Sequence, residues 1–162
     1  GLLPVLLLQK GFSLNQMALL AAIYPAVWGL GQLFTGALAD VVSKKKLLFW
    51  GMLVQGISIP MLLFNSVQAL AWPLVVLGLG TAVVYPTFLA GISENTHPSQ
   101  RPQAIGTFRL WRDLGYVLGA VLSGWLADRW SIPIAVLSIA ALTLASGLWL
   151  GLRMKTPERA YL

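Results

Sequence analysis

The sequence has no cysteine and a single histidine, and only five of its 162 residues are acidic. The missing thiols exclude disulfides, thiolate metal sites and cysteine nucleophiles, and they leave the redox compartment open. Without a histidine or cysteine cluster there is no metal-site pattern, and no Ser/His/Asp arrangement points to hydrolysis. His97 stands beside Pro98 in a polar stretch and reads as a solvated loop residue. Charge is scarce as well, at 10% of residues against 57% hydrophobic. A soluble domain carries about 25% charged residues, so an ordinary soluble protein is excluded. The same scarcity argues against disorder.

What is present is long apolar runs. Residues 11–39, 47–93 and 130–152 contain no charged side chain. Uncharged apolar stretches of about 18 residues or more read as membrane-spanning helices. The expected spans are 15–39, 47–64, 70–92, 104–127 and 132–152, with 1–9 as the end of a helix whose start is missing. The polar break at 65–68 divides the longest run, and 93–103 is expected to be a loop. The expectation is an all-α integral membrane fold of five complete spans and one partial one.

The net charge of +6 then has an explanation that needs no nucleic acid. Lys44, Lys45, Lys46, Arg101, Arg109, Arg112, Arg153, Lys155 and Arg159 fall on one side of this topology, and only Lys10 and Arg129 on the other. Lys and Arg accumulate in cytoplasmic loops, which places 40–46, 93–103 and the tail 153–162 in the cytoplasm. Trp50, Trp72, Trp125, Trp130 and Trp149 lie near span ends, where aromatic belts form, whereas Trp28 lies deep in its span. The expected location is the plasma membrane or a bacterial inner membrane.

Gly31–Asp40 (GQLFTGALAD) and Gly119–Asp128 (GAVLSGWLAD) share five of ten positions at a separation of 88 residues. The topology gives the two copies opposite directions, the mark of an inverted repeat typical of secondary transporters.

The segment Gly36-Ala-Leu-Ala-Asp40-Val-Val-Ser-Lys44-Lys45-Lys46 resembles the loop motif of the major facilitator superfamily. Gly36, Asp40, Lys44 and Lys45 match, whereas Val41 and Ser43 replace an expected basic residue and glycine. Gly78-x-Gly80…Tyr85-Pro86 and Asp113-Leu-Gly115…Gly119…Gly124 also look like late helices of that family. The resemblance covers essentially the whole chain. It implies the C-terminal six-helix half, from the end of the seventh helix through the twelfth, with a 3+3 inverted repeat. It further implies a secondary transporter that moves a small solute by alternating access together with an absent N-terminal half. No cofactor and no enzymatic activity are implied, and the resemblance leaves a coupling proton or ion open. The alternative is a stand-alone small membrane protein that oligomerises through its glycine-rich helices.

Candidate residues follow from the pattern. Tyr24, Trp28, Gln32 and Thr35 recur at helical spacing with Gly31, as do Thr81 and Tyr85 with Gly78, and such stripes either line a path or glue helices together. In Arg109-Leu-Trp-Arg112-Asp113-Leu-Gly115-Tyr116, ionisable groups at membrane depth are expected to face the bundle interior and pair. Arg109 and Asp113, four residues apart, are expected to pair with each other, leaving Arg112 for another carboxylate or an anionic substrate. Asp40 is a candidate conformational latch at the cytoplasmic surface, with Lys44–Lys46 as topology anchors. Gly31, Gly115, Gly119, Ser123 and Gly124 are expected to permit close helix packing.

Overall fold

The computed structural model describes residues 2–154. Residues 155–162, with Lys155, Arg159 and most of the expected cytoplasmic tail, lie outside the described residues. Six α-helices follow one another: α1 (Leu3–Gln9), α2 (Leu14–Val41), α3 (Lys44–Met61), α4 (Val67–Glu94), α5 (Arg101–Arg129) and α6 (Ile132–Arg153). A short 3-10 turn, Pro98–Gln100, precedes α5. No strand occurs among the described residues.

The helix boundaries have local causes. Ser13, Ser66 and Ser131 each cap a helix by accepting from a backbone N–H three residues on, and Gln16 completes a capping box with Ser13. The turn between α1 and α2 passes through Gly11 at φ 75°, a left-handed conformation that glycine adopts without Cβ strain. The expected loop at 93–103 is shorter than the sequence suggested. α4 runs on to Glu94 and α5 starts at Arg101, because Pro102 falls in the first turn, where its missing N–H costs no helical bond.

Two layers of contact organise the bundle. α2 packs most extensively on α4, and α3 lies against both α4 and α6. α5 leans on α6 and touches α4 more lightly. Leu7, Leu20, Leu70 and Leu74 form one buried cluster joining α1, α2 and α4, and Leu6, Ile132 and Val136 form a second. Lys10 holds the far end of α3 by donating to the Leu62 carbonyl at 3.3 Å and to that of Phe64. Burial lowers its ammonium pKa below the ordinary lysine value.

Glycines set the helix separations, mostly at positions other than those expected. A Cβ on Gly78 would stand 3.0 Å from the Tyr24 carbonyl of α2, and one on Gly80 would stand 3.1 Å from the Gly51 carbonyl of α3. Gly31 is also tight, with Ala82 2.7 Å from a Cβ there. Nothing lies within 4 Å of a Cβ at Gly115, Gly119 or Gly124. The close approach expected at those three is therefore not made among the described residues. Gly115 and Gly119 instead border an apolar cleft of about 320 Å³ with Leu3, Leu6, Ile59 and Val136. Ser123 is buried and donates to the Ala120 carbonyl.

The outer surface is apolar. Leu30, Phe34, Leu118, Val121 and Leu152 are exposed, as are all five tryptophans assigned to the belts. Large apolar side chains on the outside, with glycines at the tightest helix contacts, suit helices solvated by lipid. Three helices, α2, α4 and α6, are long and apolar enough to cross a membrane. α3 opens on three lysines, and α5 carries the Arg109–Asp113 charges, so neither is selected on composition alone.

Candidate functional site

Three helices bring their polar and aromatic residues to one place. On α2, Tyr24 and Trp28 are one turn apart and their rings stack at 6.2 Å. On α4, Thr81 and Tyr85 are likewise one turn apart. The Tyr24 hydroxyl donates to Thr81 Oγ1 at 3.3 Å, and Thr81 donates to the Leu77 carbonyl at 2.9 Å. Trp28 meets the Tyr85 ring edge-on at 6.2 Å between centroids. From α5, Arg112 Nη1 donates to the Tyr85 hydroxyl at 2.9 Å. The sequence placed these residues on separate helix faces, and the fold connects them into a single chain of contacts.

Arg112 is the hub. Its guanidinium pairs with Asp113 at 2.8 Å and lies 5.5 Å from the Tyr85 ring centroid and 5.9 Å from that of Tyr116. Cation–π contact of this kind adds attraction that grows as water is excluded. The expected Arg109–Asp113 pair is not formed: Asp113 bonds Arg112, its immediate neighbour, and Arg109 is exposed with no ion pair among the described residues. The reason is Tyr85, which draws the Arg112 side chain toward α4 and leaves its Nε over Asp113 Oδ1.

Depth along the helices supports a central position. At 1.5 Å per residue, Tyr85 stands about 14 Å from the end of α4, and Arg112 about 16 Å from the start of α5. Trp28 and Thr81 are each about 20 Å from the same side, near the midpoint of helices about 42 Å long. The indole N–H of Trp28 is buried there with no hydrogen-bond partner among the described residues. Buried donors are normally satisfied, so this indole is an exception among the described residues.

The remaining candidates divide clearly. Gln32 is half-buried on α2 and makes no side-chain hydrogen bond among the described residues. Thr35 donates to the Ala82 carbonyl at 2.6 Å and so joins α2 to α4. Tyr116 is exposed and faces the apolar cleft beside Gly115. Phe108 and Phe88 extend the aromatic chain beyond Tyr85, at 6.5 Å and then 5.7 Å between centroids.

At the helix ends on the 40–46 side, Lys44 bonds both the Ala39 carbonyl, at 3.1 Å, and Glu94, at 2.7 Å. One ammonium therefore ties the end of α2 and the start of α3 to the end of α4. Glu94 was not singled out from sequence, although it is one of only two glutamates in the chain. Gly36, Asp40 and Lys46 are exposed and Lys45 is half-buried. His97 is exposed and bonds Ser99 within the 3-10 turn. Among the described residues no group of three His, Cys, Asp or Glu is placed to hold a metal ion.

Comparison with known proteins identifies the family of the chain. The family model of the Major Facilitator Superfamily matches residues 1–161. The chain is 26% identical over 148 residues to Inner membrane transport protein YnfM of Escherichia coli (strain K12), covering 91% of the chain and 36% of that protein. It is 26% identical over 146 residues to uncharacterized transporter BU588 of Buchnera aphidicola subsp. Acyrthosiphon pisum, covering 86% and 35%. It is 29% identical over 144 residues to uncharacterized MFS-type transporter YddS of Bacillus subtilis (strain 168), covering 87% and 33%. The chain thus spans about a third of the length of the curated relatives it matches. These relatives are named as transporters, and nothing in them favours a stand-alone oligomerising protein.

Proposed function

Because the chain belongs to the Major Facilitator Superfamily, an integral membrane transporter family, we propose that it forms the C-terminal half of a secondary transporter. The complete protein moves a small solute by alternating access, its two halves rocking about a central site. α2 to α6 are its five complete spans and α1 the end of a sixth, arranged as two inverted groups, α1–α3 and α4–α6. Lys44, Lys45 and Lys46 mark the cytoplasmic side together with the tail, and the membrane is a bacterial inner membrane, as the name of the Escherichia coli relative says of that protein.

The observation that carries this reading is the continuous contact Tyr24–Trp28–Tyr85–Arg112, which joins α2, α4 and α5 away from the helix ends. Ionisable and polar groups at that depth cost free energy unless they line a cavity or pair, and these stand where solute must pass. Among the described residues Asp113 is the one carboxylate near that depth, which makes it the candidate in this half for carrying a coupling proton. An uptake and resistance screen of the complete protein tests the reading. At least one solute response should be lost in both Arg112→Gln and Trp28→Leu while the protein remains in the membrane. If every solute response of the complete protein persists in both variants, this cluster is removed from the transport path.

A further inference from the structure

Resting on the transport-site reading, we propose that the site takes an organic monoanion, an apolar body ending in a carboxylate. Arg112 holds the carboxylate, and the body lies against Trp28 and Tyr85.

The warrant is the balance of donors and acceptors in the cluster. An arginine presents five N–H donors and no acceptor. Arg112 commits one to Asp113 and one to Tyr85, so three are open. The Tyr85 hydroxyl accepts from Arg112, and its own hydrogen has no acceptor among the described residues. The Trp28 indole N–H is buried without one. The Thr81 hydroxyl, by contrast, already donates to Leu77 and receives Tyr24. The wall therefore offers donors and calls for acceptors. A carboxylate is acceptor-only and matches the two-pronged edge of a guanidinium.

Charge sets the valence. Arg109, Arg112 and Asp113 together leave one positive charge on this stretch of α5. A monoanion neutralises it, a cation doubles it, and a dianion reverses it; in an apolar bundle the neutral state has the lowest desolvation cost. Asp113 is not a competing cation seat in this wall. It lies about 100° around the helix from Arg112, its side chain is 59% exposed, and it contacts neither Tyr85 nor Trp28 through hydrogen bonds. The rings that define an apolar wall, Tyr24, Trp28, Tyr85 and Phe108, gather on the Arg112 side. Aromatic rings offer large apolar contact area, which suits a ligand with an apolar body.

The test uses the complete protein with Thr81→Cys as a reporter. Labelling of that thiol and the thermal midpoint are measured with benzoate and octanoate, and with benzamide and benzylammonium as controls. Benzoate or octanoate should slow labelling about tenfold and raise the midpoint, with no effect of either control. Arg112→Lys should keep a weakened response and Arg112→Gln should lose it. No protection by either carboxylate, or protection by benzylammonium instead, overturns the anion assignment and leaves the transport reading standing. Carboxylate protection unchanged in both Arg112 variants also overturns it. A Thr81→Cys thiol that reacts from neither side of the membrane overturns the transport-site reading itself.

Discussion

The Arg112 guanidinium donates to the Tyr85 hydroxyl across 2.9 Å while its Nε pairs with Asp113 at 2.8 Å. One side chain thus joins α5 to α4 and holds the Asp113 carboxylate beside that junction. Arg112 and Asp113 engage each other while Arg112 also holds Tyr85, so changes here alter the site and the α4–α5 contact together.

Tyr85→Phe removes the hydroxyl but keeps the ring under the guanidinium. Loss of this hydrogen bond to a charged group weakens the α4–α5 contact, partly offset by the cation–π contact that remains. The thermal midpoint of the complete protein should fall, and Arg112→Gln should lower it by a comparable amount. A double variant should then lose much less than the sum of the two, because both remove the same bond.

Asp113→Asn should separate two roles of the carboxylate. The amide still accepts from Arg112, so the fold is retained. If Asp113 carries a proton in this half, pH-gradient-driven uptake of the solute from the screen falls at least tenfold while solute exchange persists. Gradient-driven uptake that is unchanged removes Asp113 from the coupling path.

The glycine contacts predict a steep size dependence. Gly80→Val places methyl groups against the Gly51 carbonyl, already 3.1 Å from a single Cβ, and should cost about 1–3 kcal/mol of stability. Gly119→Ala meets open space in the described structure and should leave the midpoint nearly unchanged. A thermal series in detergent checks both.

Lys44 and Glu94 should be interchangeable in charge. Lys44→Glu or Glu94→Lys alone places like charges together at the ends of α3 and α4, and the exchanged pair should restore stability. The pair is partly exposed, with Glu94 at 57%, so the effect should stay within about 1 kcal/mol and shrink with salt.

The helices were legible because uncharged runs and serine caps are local signals. Their extents differ from expectation mainly where Lys44–Lys46 and Arg101–Gln103 continue a helix past the apolar stretch. The cluster was half legible: helical spacing grouped Tyr24 with Trp28 and Thr81 with Tyr85, but nothing in spacing says that Arg112 crosses to Tyr85. Choosing Arg109 as the partner of Asp113 followed the rule for i, i+4 pairs, which holds for isolated helices. Here a hydroxyl on a neighbouring helix decides the rotamer. Glu94 was missed for the same reason, since its meaning lies in a lysine fifty residues away. The tight glycines, Gly51, Gly78 and Gly80, are determined by which helices cross, a tertiary fact that a repeat of small residues does not specify.

Two-sided labelling of Thr81→Cys in the complete protein tests the central claim most directly. Intact cells and inside-out vesicles are treated with a charged, membrane-impermeant thiol reagent. Alternating access about this cluster predicts reaction from both faces, because the same residue opens first to one side and then to the other. Reaction from neither face, or from one face only under every condition that shifts the transporter, would contradict the account.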